Sequence, residues 1–238
     1  MSEDAHELAV EPMSNDINWI ETFTGKRINL LIPKRENIDI LDIAHGLSNH
    51  CRFTGQCLRF YSVAEHSIHV ANLLERDIAI YGLLHDSSEA YMGDIVAPLK
   101  IALPDYRSVE RIMQMVIFHH FGLYEYVEYK SRVKRADNSM LKAEAFELMH
   151  GRGGGWDGMD DVEMPDVQIE CMSPSRAERA FLDLFARLTT GGRNEAGSVP
   201  LVSKGTGQTD STEDWRVHSP MLQPPMLNVT INDSQIGS

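Results

Sequence analysis

The chain has 238 residues, enough for one sizeable hydrophobic core with appendages. Its 35 Asp and Glu outnumber its 22 Lys and Arg, so the formal net charge is −13. A surface this acidic argues against a stable nucleic-acid partner and against an anionic membrane. It does not exclude a small phosphate ligand, because a metal ion and a few local cations can dominate one pocket.

The N-terminus and the cysteines favour a cytoplasmic protein. Residues 1–16 are acidic and polar, unlike a signal peptide, and no apolar run approaches the length of a membrane span. The chain has three cysteines, Cys51, Cys57 and Cys171, and no two of them form a CxxC motif. This odd number and spacing argue against a disulfide framework. We therefore expect a reducing compartment, no membrane partner and a flexible leader over residues 1–16.

The globular domain is predicted over residues 17–190. Two short β-prone pieces flank Thr24-Gly25-Lys26 and predict a hairpin within residues 19–33. Apolar side chains at helical spacing predict α-helices over residues 38–50, 62–74, 77–91, 105–121, 126–150 and 174–190. Ser62, with Glu65 three residues later, has the pattern of a capping box. The predicted fold class is all-α, with a small N-terminal β-hairpin.

Three segments are predicted to lie outside these helices. Pro98 and Pro104 bracket a short link, and residues 151–161 form a glycine-rich acidic loop that cannot be regular structure. Residues 191–238 are rich in Gly, Ser, Thr, Asn, Gln and Pro and have few aromatics. Such a composition cannot bury enough apolar surface to fold, so we predict a disordered tail over these residues.

The residues that indicate chemistry are two histidines and two aspartates. His85-Asp86 ends an apolar segment, but a buried His-Asp pair alone is most often a satisfied structural pair. Two further candidate ligands change that interpretation, because His66 lies in the preceding predicted helix and Asp137 lies in a later one. Two imidazoles and two carboxylates match the ligands that borderline and hard divalent ions accept. They would leave open positions for water and substrate.

These residues and their surroundings resemble the HD-domain metal-dependent phosphohydrolases. The family signature is a His, then His-Asp, then a distant Asp, all on helices. The segments DIAHGLSNHCRFTG, FYSVAEHSIHVANLL, LLHDSSEAYMGDIVAPLK and RADN follow in the order of one subgroup. That subgroup is common in phages and bacteria and includes the 5′-deoxynucleotidases and the phage dNTP (dATP) triphosphohydrolases. The resemblance covers about residues 20–190 and is more specific for the fold and metal site than for the substrate.

The resemblance implies an HD-domain helical bundle that holds one divalent metal ion through His66, His85, Asp86 and Asp137. It leaves the ion open among Mn²⁺, Co²⁺, Zn²⁺, Fe²⁺, Ni²⁺ and Mg²⁺, and it leaves open a second ion beside a triphosphate substrate. It also implies a homo-oligomer in the cytoplasm of a bacterial cell or of a phage-infected host.

Further site residues follow from the resemblance. Glu89 is expected to orient the water on the metal, and Asp94 to transfer a proton. Their alternatives are a solvated Glu on a helix face and a turn-forming Asp after Gly93. The expected phosphate ligands are Arg52, Lys100 and Lys134, although most lysines are simply solvated. Near the base or sugar the resemblance places Phe53 and Pro98, with a core role for Phe53 as the alternative.

The expected function is metal-dependent hydrolysis of the 5′-phosphate linkage of a nucleotide. The substrate is either a deoxynucleoside triphosphate, with dATP as one candidate, or a deoxynucleoside monophosphate. One alternative is hydrolysis of a cyclic or signalling nucleotide, which needs extra metal ligands that the sequence lacks. The other is a catalytically weak HD module that binds nucleotides or a protein partner.

Overall fold

The structure, a computed structural model, describes residues 18–154, 156 and 158–190. Across these residues the chain forms a two-stranded sheet followed by eight α-helices. The strands are β1 (Trp19–Glu21) and β2 (Arg27–Asn29), and the helices are α1 (Ile40–Asn49), α2 (Val63–Asn72), α3 (Ala79–Leu83), α4 (Glu89–Met92), α5 (Ala97–Ala102), α6 (Pro104–His120), α7 (Tyr126–Leu148) and α8 (Pro174–Thr190). A mostly helical fold with a small N-terminal hairpin is therefore confirmed. The leader predicted over residues 1–16 and the tail predicted over 191–238 lie outside the described residues.

The hairpin is fastened to the first helix through its turn. β1 and β2 pair antiparallel, with Ile20 opposite Ile28. Gly25 has a φ of 80° in the turn, a left-handed conformation that glycine adopts without a steric penalty. The preceding Thr24 donates its backbone N–H and its hydroxyl to the Asp42 carboxylate of α1, at 2.7 and 3.0 Å. Ile28 is thereby held fully buried in the core.

Helix α2 lies at the centre of the bundle and packs against α1, α3, α7 and α8. It begins as predicted, because the Ser62 hydroxyl accepts the backbone N–H of Glu65 at 3.1 Å. The second contact of a capping box, from the Glu65 side chain back to the Ser62 backbone N–H, does not form, so that part of the prediction is wrong. The Glu65 carboxylate instead accepts the backbone N–H groups of residues 170–172, which ties α2 to the chain just before α8. Residues 63–67 are fully buried, so the polar side chains among them need partners from other elements.

The prediction of one continuous helix over residues 77–91 is wrong. Helix α3 ends at Leu83 and α4 begins at Glu89, so His85 and Asp86 lie in the turn between two short helices. The break matters for the site, because the two residues that carry its chemistry are placed by a turn and not by regular helical geometry.

Gln114 of α6 gives the physical reason for this break. In a continuous helix the backbone N–H of Ser88 would donate to the carbonyl of Leu84, four residues earlier. The Gln114 side-chain amide binds both groups instead: it accepts from Ser88 N–H at 2.9 Å and donates to the Leu84 carbonyl at 2.7 Å. The interrupted helix therefore leaves neither of these groups without a partner.

The remaining elements agree with the sequence more closely. The bounds of α6 and α7 lie within two residues of those predicted. The link predicted between Pro98 and Pro104 is instead largely helical, as α5. The described residues of 151–161 form turns and irregular structure, as predicted for the glycine-rich loop. None of the helices in the described ranges is long and apolar enough to cross a membrane.

Candidate metal centre

Four side chains from three separate parts of the fold meet at one point. His66 comes from α2, His85 and Asp86 from the turn between α3 and α4, and Asp137 from α7. One ligand atom each from His66, His85 and Asp86 lies within 4.8 Å of the others. Asp137 Oδ1 lies 3.3 Å from His66 Nε2 and 3.9 Å from His85 Nε2. The fold thus brings together all four residues predicted as ligands.

The separations within this cluster fit donors around a metal ion. His66 Nε2 lies 3.4 Å from His85 Nε2 and 3.7 Å from Asp86 Oδ2, and His85 Nε2 lies 3.2 Å from Asp86 Oδ2. Donors about 2.0–2.2 Å from a shared ion lie roughly 3–4 Å apart in tetrahedral or octahedral coordination. Two ring nitrogens facing each other at this distance are more simply two ligands than a hydrogen-bonded pair.

The opposite nitrogen of each imidazole fixes the tautomer. His66 Nδ1 lies 2.6 Å from a Glu144 carboxylate oxygen, and His85 Nδ1 lies 2.7 Å from the Gly82 carbonyl oxygen. Both partners only accept hydrogen bonds, so each Nδ1 carries a proton and each ring turns its Nε2 toward the cluster, where the neutral form offers a lone pair. Metal-binding histidines in proteins are usually oriented in this way.

Glu144 is a site residue that sequence analysis missed. It is fully buried, and its carboxylate also accepts the Tyr61 hydroxyl at 2.9 Å and pairs with Arg52 at 3.0 Å. It lies seven residues after Asp137, two turns along the same face of α7. That spacing was available in the sequence, but Glu147 one turn further on has the same local pattern and pairs with Arg59 at the surface.

The cluster concentrates negative charge. Burial alone would raise the pKa of Asp86 and Asp137, but hydrogen bonds and charge from His85 and His66 hold both pKa values below their ordinary range. Burial lowers the pKa of both histidines, yet the surrounding carboxylates outweigh it and the net shift is upward. The negative potential that favours protons on these imidazoles also favours a divalent cation that replaces those protons.

Glu89 lies beside the cluster and is buried. Burial raises its pKa well above the ordinary value, assisted by the negative charges of Asp86 and Asp94 and opposed by Lys100, whose Nζ lies 2.9 Å from Glu89 Oε1. Within the described residues its other oxygen, Oε2, is buried and has no hydrogen-bond partner. Asp94 follows Gly93 and is half-buried. The unpaired oxygen is suited to a water molecule or a ligand in the site.

The predicted cations are held by acidic side chains of the site. Arg52 is buried between Glu144 and Asp86, with its guanidinium 3.8 Å from Asp86 Oδ2. Lys134 is exposed and its Nζ lies 2.7 Å from Asp137 Oδ2. Lys100 pairs with Glu110 at 2.6 Å as well as with Glu89. All three therefore lie next to the cluster, and each already has an anionic partner.

A cleft of about 470 Å³ opens next to the turn that carries His85 and Asp86. Glu89 and Lys100 also line it, but Phe53 and Pro98 are not among its lining residues. Phe53 lies in the segment after α1, with its ring 6.1 Å from that of Trp156, and Pro98 is exposed in the first turn of α5. Their assignment to the base or sugar stays a prediction.

The fold and the site define a mostly helical protein whose two imidazoles and two carboxylates can hold a divalent cation. No family model matches the chain. It is 35% identical over 174 residues to the uncharacterized protein YfdR of Escherichia coli (strain K12), a match covering 73% of this chain and 97% of that protein. It is 34% identical over 142 residues to the uncharacterized protein RCAP_rcc00048 of Rhodobacter capsulatus, covering 55% of this chain and 72% of that protein. The chain belongs to the family of YfdR.

Proposed function

We propose that this protein is an HD-type phosphohydrolase that uses a divalent metal ion to hydrolyse the 5′-phosphate linkage of a nucleotide. The observation that carries the proposal is the cluster of His66, His85 and Asp86, with Asp137 Oδ1 within 4 Å of the Nε2 atoms of both histidines. The order of these residues matches the HD signature. The cleft beside them provides space for a small molecule.

The chemistry divides between the ion and the side chains around it. A bound divalent ion would lower the pKa of a water molecule and polarise a phosphoryl oxygen. The oxygen of water attacks phosphorus, the bond from phosphorus to the 5′-oxygen breaks, and the 5′-oxygen takes up a proton. The products are nucleoside with phosphate from a monophosphate, or nucleoside with triphosphate from a triphosphate.

Residues of this chain supply the proton transfers and the positioning. Glu89, buried beside the cluster with one unpaired oxygen, holds the attacking water, and Asp94 passes a proton to the leaving 5′-oxygen. Arg52 supports the Asp86 carboxylate and, with Lys100, supplies positive charge beside the phosphoryl group as its negative charge grows.

The test is a panel of deoxy- and ribonucleoside mono-, di- and triphosphates incubated with Mn²⁺, Co²⁺ or Mg²⁺, with products separated by chromatography. The wild-type chain is expected to release nucleoside from at least one member. Asp86→Ala is expected to abolish release, because one of four ligands is lost. Asp77→Ala, which removes an exposed carboxylate from the same segment, serves as the matched control.

Two outcomes contradict the proposal. One is a wild-type protein that binds nucleotides in the presence of metal but releases no nucleoside, which favours a catalytically weak HD module. The other is full activity in Asp86→Ala at limiting metal, which excludes the cluster from catalysis.

A further inference from the structure

One face of α6 is directed into the cleft. The residues of this helix that line the cleft follow one another at successive helical turns, and they are Pro104, Arg107, Ser108, Glu110, Arg111, Gln114, Met115 and Phe118. That spacing defines a single stripe along a helix. Arg107 and Arg111 are one turn apart on this stripe, and Lys130 of α7 lines the same cleft. We call these three residues the cation arc.

The cation arc differs from the other cations near the site in having no acidic partner. Lys100, Arg52 and Lys134 each form an ion pair with a carboxylate. Neither Arg107, Arg111 nor Lys130 pairs with any carboxylate in the part of the chain that the structure describes. Glu110 also lines the cleft, but Lys100 binds its carboxylate at 2.6 Å. Three unpaired cations around one concavity are unexpected in a chain with a net charge of −13.

The arc also occupies a defined end of the cleft. Arg107, Arg111 and Lys130 are exposed, whereas His85 and Asp86 are partly buried and Glu89 is buried. The cations therefore form the mouth of the cleft, and the metal-binding turn forms its inner end. Arginine offers a planar fork that matches phosphate oxygens, and two arginines four residues apart are separated by about 6 Å along the helix axis.

We propose that the cation arc is an anion site that binds the outer phosphates of a polyphosphate chain. This inference rests on the proposed function, because it assumes that the phosphate next to the 5′-oxygen of the same ligand binds at the metal cluster. We expect a monophosphate held at the inner end to leave the three cations at the mouth without a ligand. The arc therefore assigns a nucleoside polyphosphate, rather than a monophosphate, as the preferred substrate class.

A binding experiment tests the arc without requiring turnover. Inorganic tripolyphosphate and orthophosphate are titrated by calorimetry into the metal-free full chain and into R107Q/R111Q/K130Q. Tripolyphosphate is expected to bind the wild type at least about tenfold more tightly than orthophosphate does. The triple variant should weaken tripolyphosphate binding about thirtyfold, from roughly threefold for each exposed contact. The matched control, K34Q/R76Q/R135Q, removes the same charge from exposed positions outside the cleft.

A kinetic experiment distinguishes a nucleotide tail from free polyphosphate. With metal added, tripolyphosphate is expected to compete with a nucleoside triphosphate. The triple variant should lower the ratio of kcat/KM for triphosphate to that for monophosphate about tenfold or more, mainly through KM. Equal tripolyphosphate binding by the wild type and the triple variant overturns the anion site, as does equal weakening in the control. Failure of tripolyphosphate to compete overturns the nucleotide assignment. A wild type without turnover contradicts the proposed function alone, because the calorimetry still decides the anion site.

Discussion

Glu144 determines which nitrogen of His66 faces the candidate metal centre. Its carboxylate accepts from His66 Nδ1, from the Tyr61 hydroxyl and from Arg52, so one buried anion organises three neighbours. Burial alone would raise the pKa of Glu144, but Arg52 and His66 hold that pKa below its ordinary value. The group is therefore ionised when His66 turns its Nε2 toward the cluster.

Glu144→Gln is expected to weaken metal binding about tenfold to a hundredfold, because it neutralises the partner that orients a ligand histidine. It is also expected to lower the free energy of unfolding by about 3 kcal/mol, since Arg52 loses the charge of its buried partner. Calorimetric titration with Mn²⁺ and urea unfolding measure the two effects. Glu147→Gln on the same helix removes a surface ion pair with Arg59 and should change stability by less than about 1 kcal/mol. Equal metal affinity in the two variants would refute the orienting role.

The sequence identifies the four residues that meet in the candidate metal centre, but it does not identify the residue that supports them. His66, His85, Asp86 and Asp137 could be predicted because imidazole and carboxylate in this order match a known signature. Glu144 could not, because a Glu on an amphipathic helix is usually solvated, and Glu147 has a similar local context. Only the depth of each side chain in the fold separates the two, and depth depends on elements distant in the sequence.

At the scale of elements, helix bounds follow from local sequence wherever local interactions set them. Ser62 caps α2 through the next turn of its own helix, and that contact was predictable. The break between α3 and α4 was not, because apolar spacing continues through it. The residue responsible, Gln114, lies 26 and 30 positions away from the two backbone groups that it binds.

Gln114→Met keeps the length of the side chain but removes both hydrogen bonds to the turn of His85 and Asp86. The Ser88 N–H and the Leu84 carbonyl then lose their partner, at a cost of about 1–3 kcal/mol for each group left unsatisfied. The turn can recover that bond only by becoming helical, which moves His85 relative to His66. We therefore expect metal affinity to fall about tenfold, with a small gain in helical circular dichroism.

The matched control for this prediction is Gln168→Met, the same substitution at an exposed glutamine outside the cleft. Calorimetry with Mn²⁺ and far-ultraviolet circular dichroism on both variants provide the comparison. If Gln114→Met binds Mn²⁺ as tightly as Gln168→Met does, the geometry of the turn does not depend on the amide.

At the scale of the whole molecule, the candidate metal centre joins parts of the chain that are far apart in sequence. His66 and Asp137 are separated by the whole of α3 to α6, and the turn between α3 and α4 completes the cluster. The carboxylates of Asp86 and Asp137 both lie within 4 Å of His66 Nε2, so ligand atoms from α2, α7 and the turn are close to one another. A divalent ion would therefore link α2, α7 and the turn in the folded state only.

This linkage predicts that metal stabilises the fold by mass action. An ion present at one hundred times its dissociation constant should add about 2.7 kcal/mol if the unfolded chain does not bind it. For a domain of this size that corresponds to a rise in Tm of roughly 5–10 °C. Thermal scans of the chelator-treated protein, before and after addition of Mn²⁺, measure it. Asp137→Asn, which removes the ligand charge from α7, should lose most of the rise. A rise of the same size in that variant would mean that the stabilising ion binds elsewhere, for example on the acidic surface.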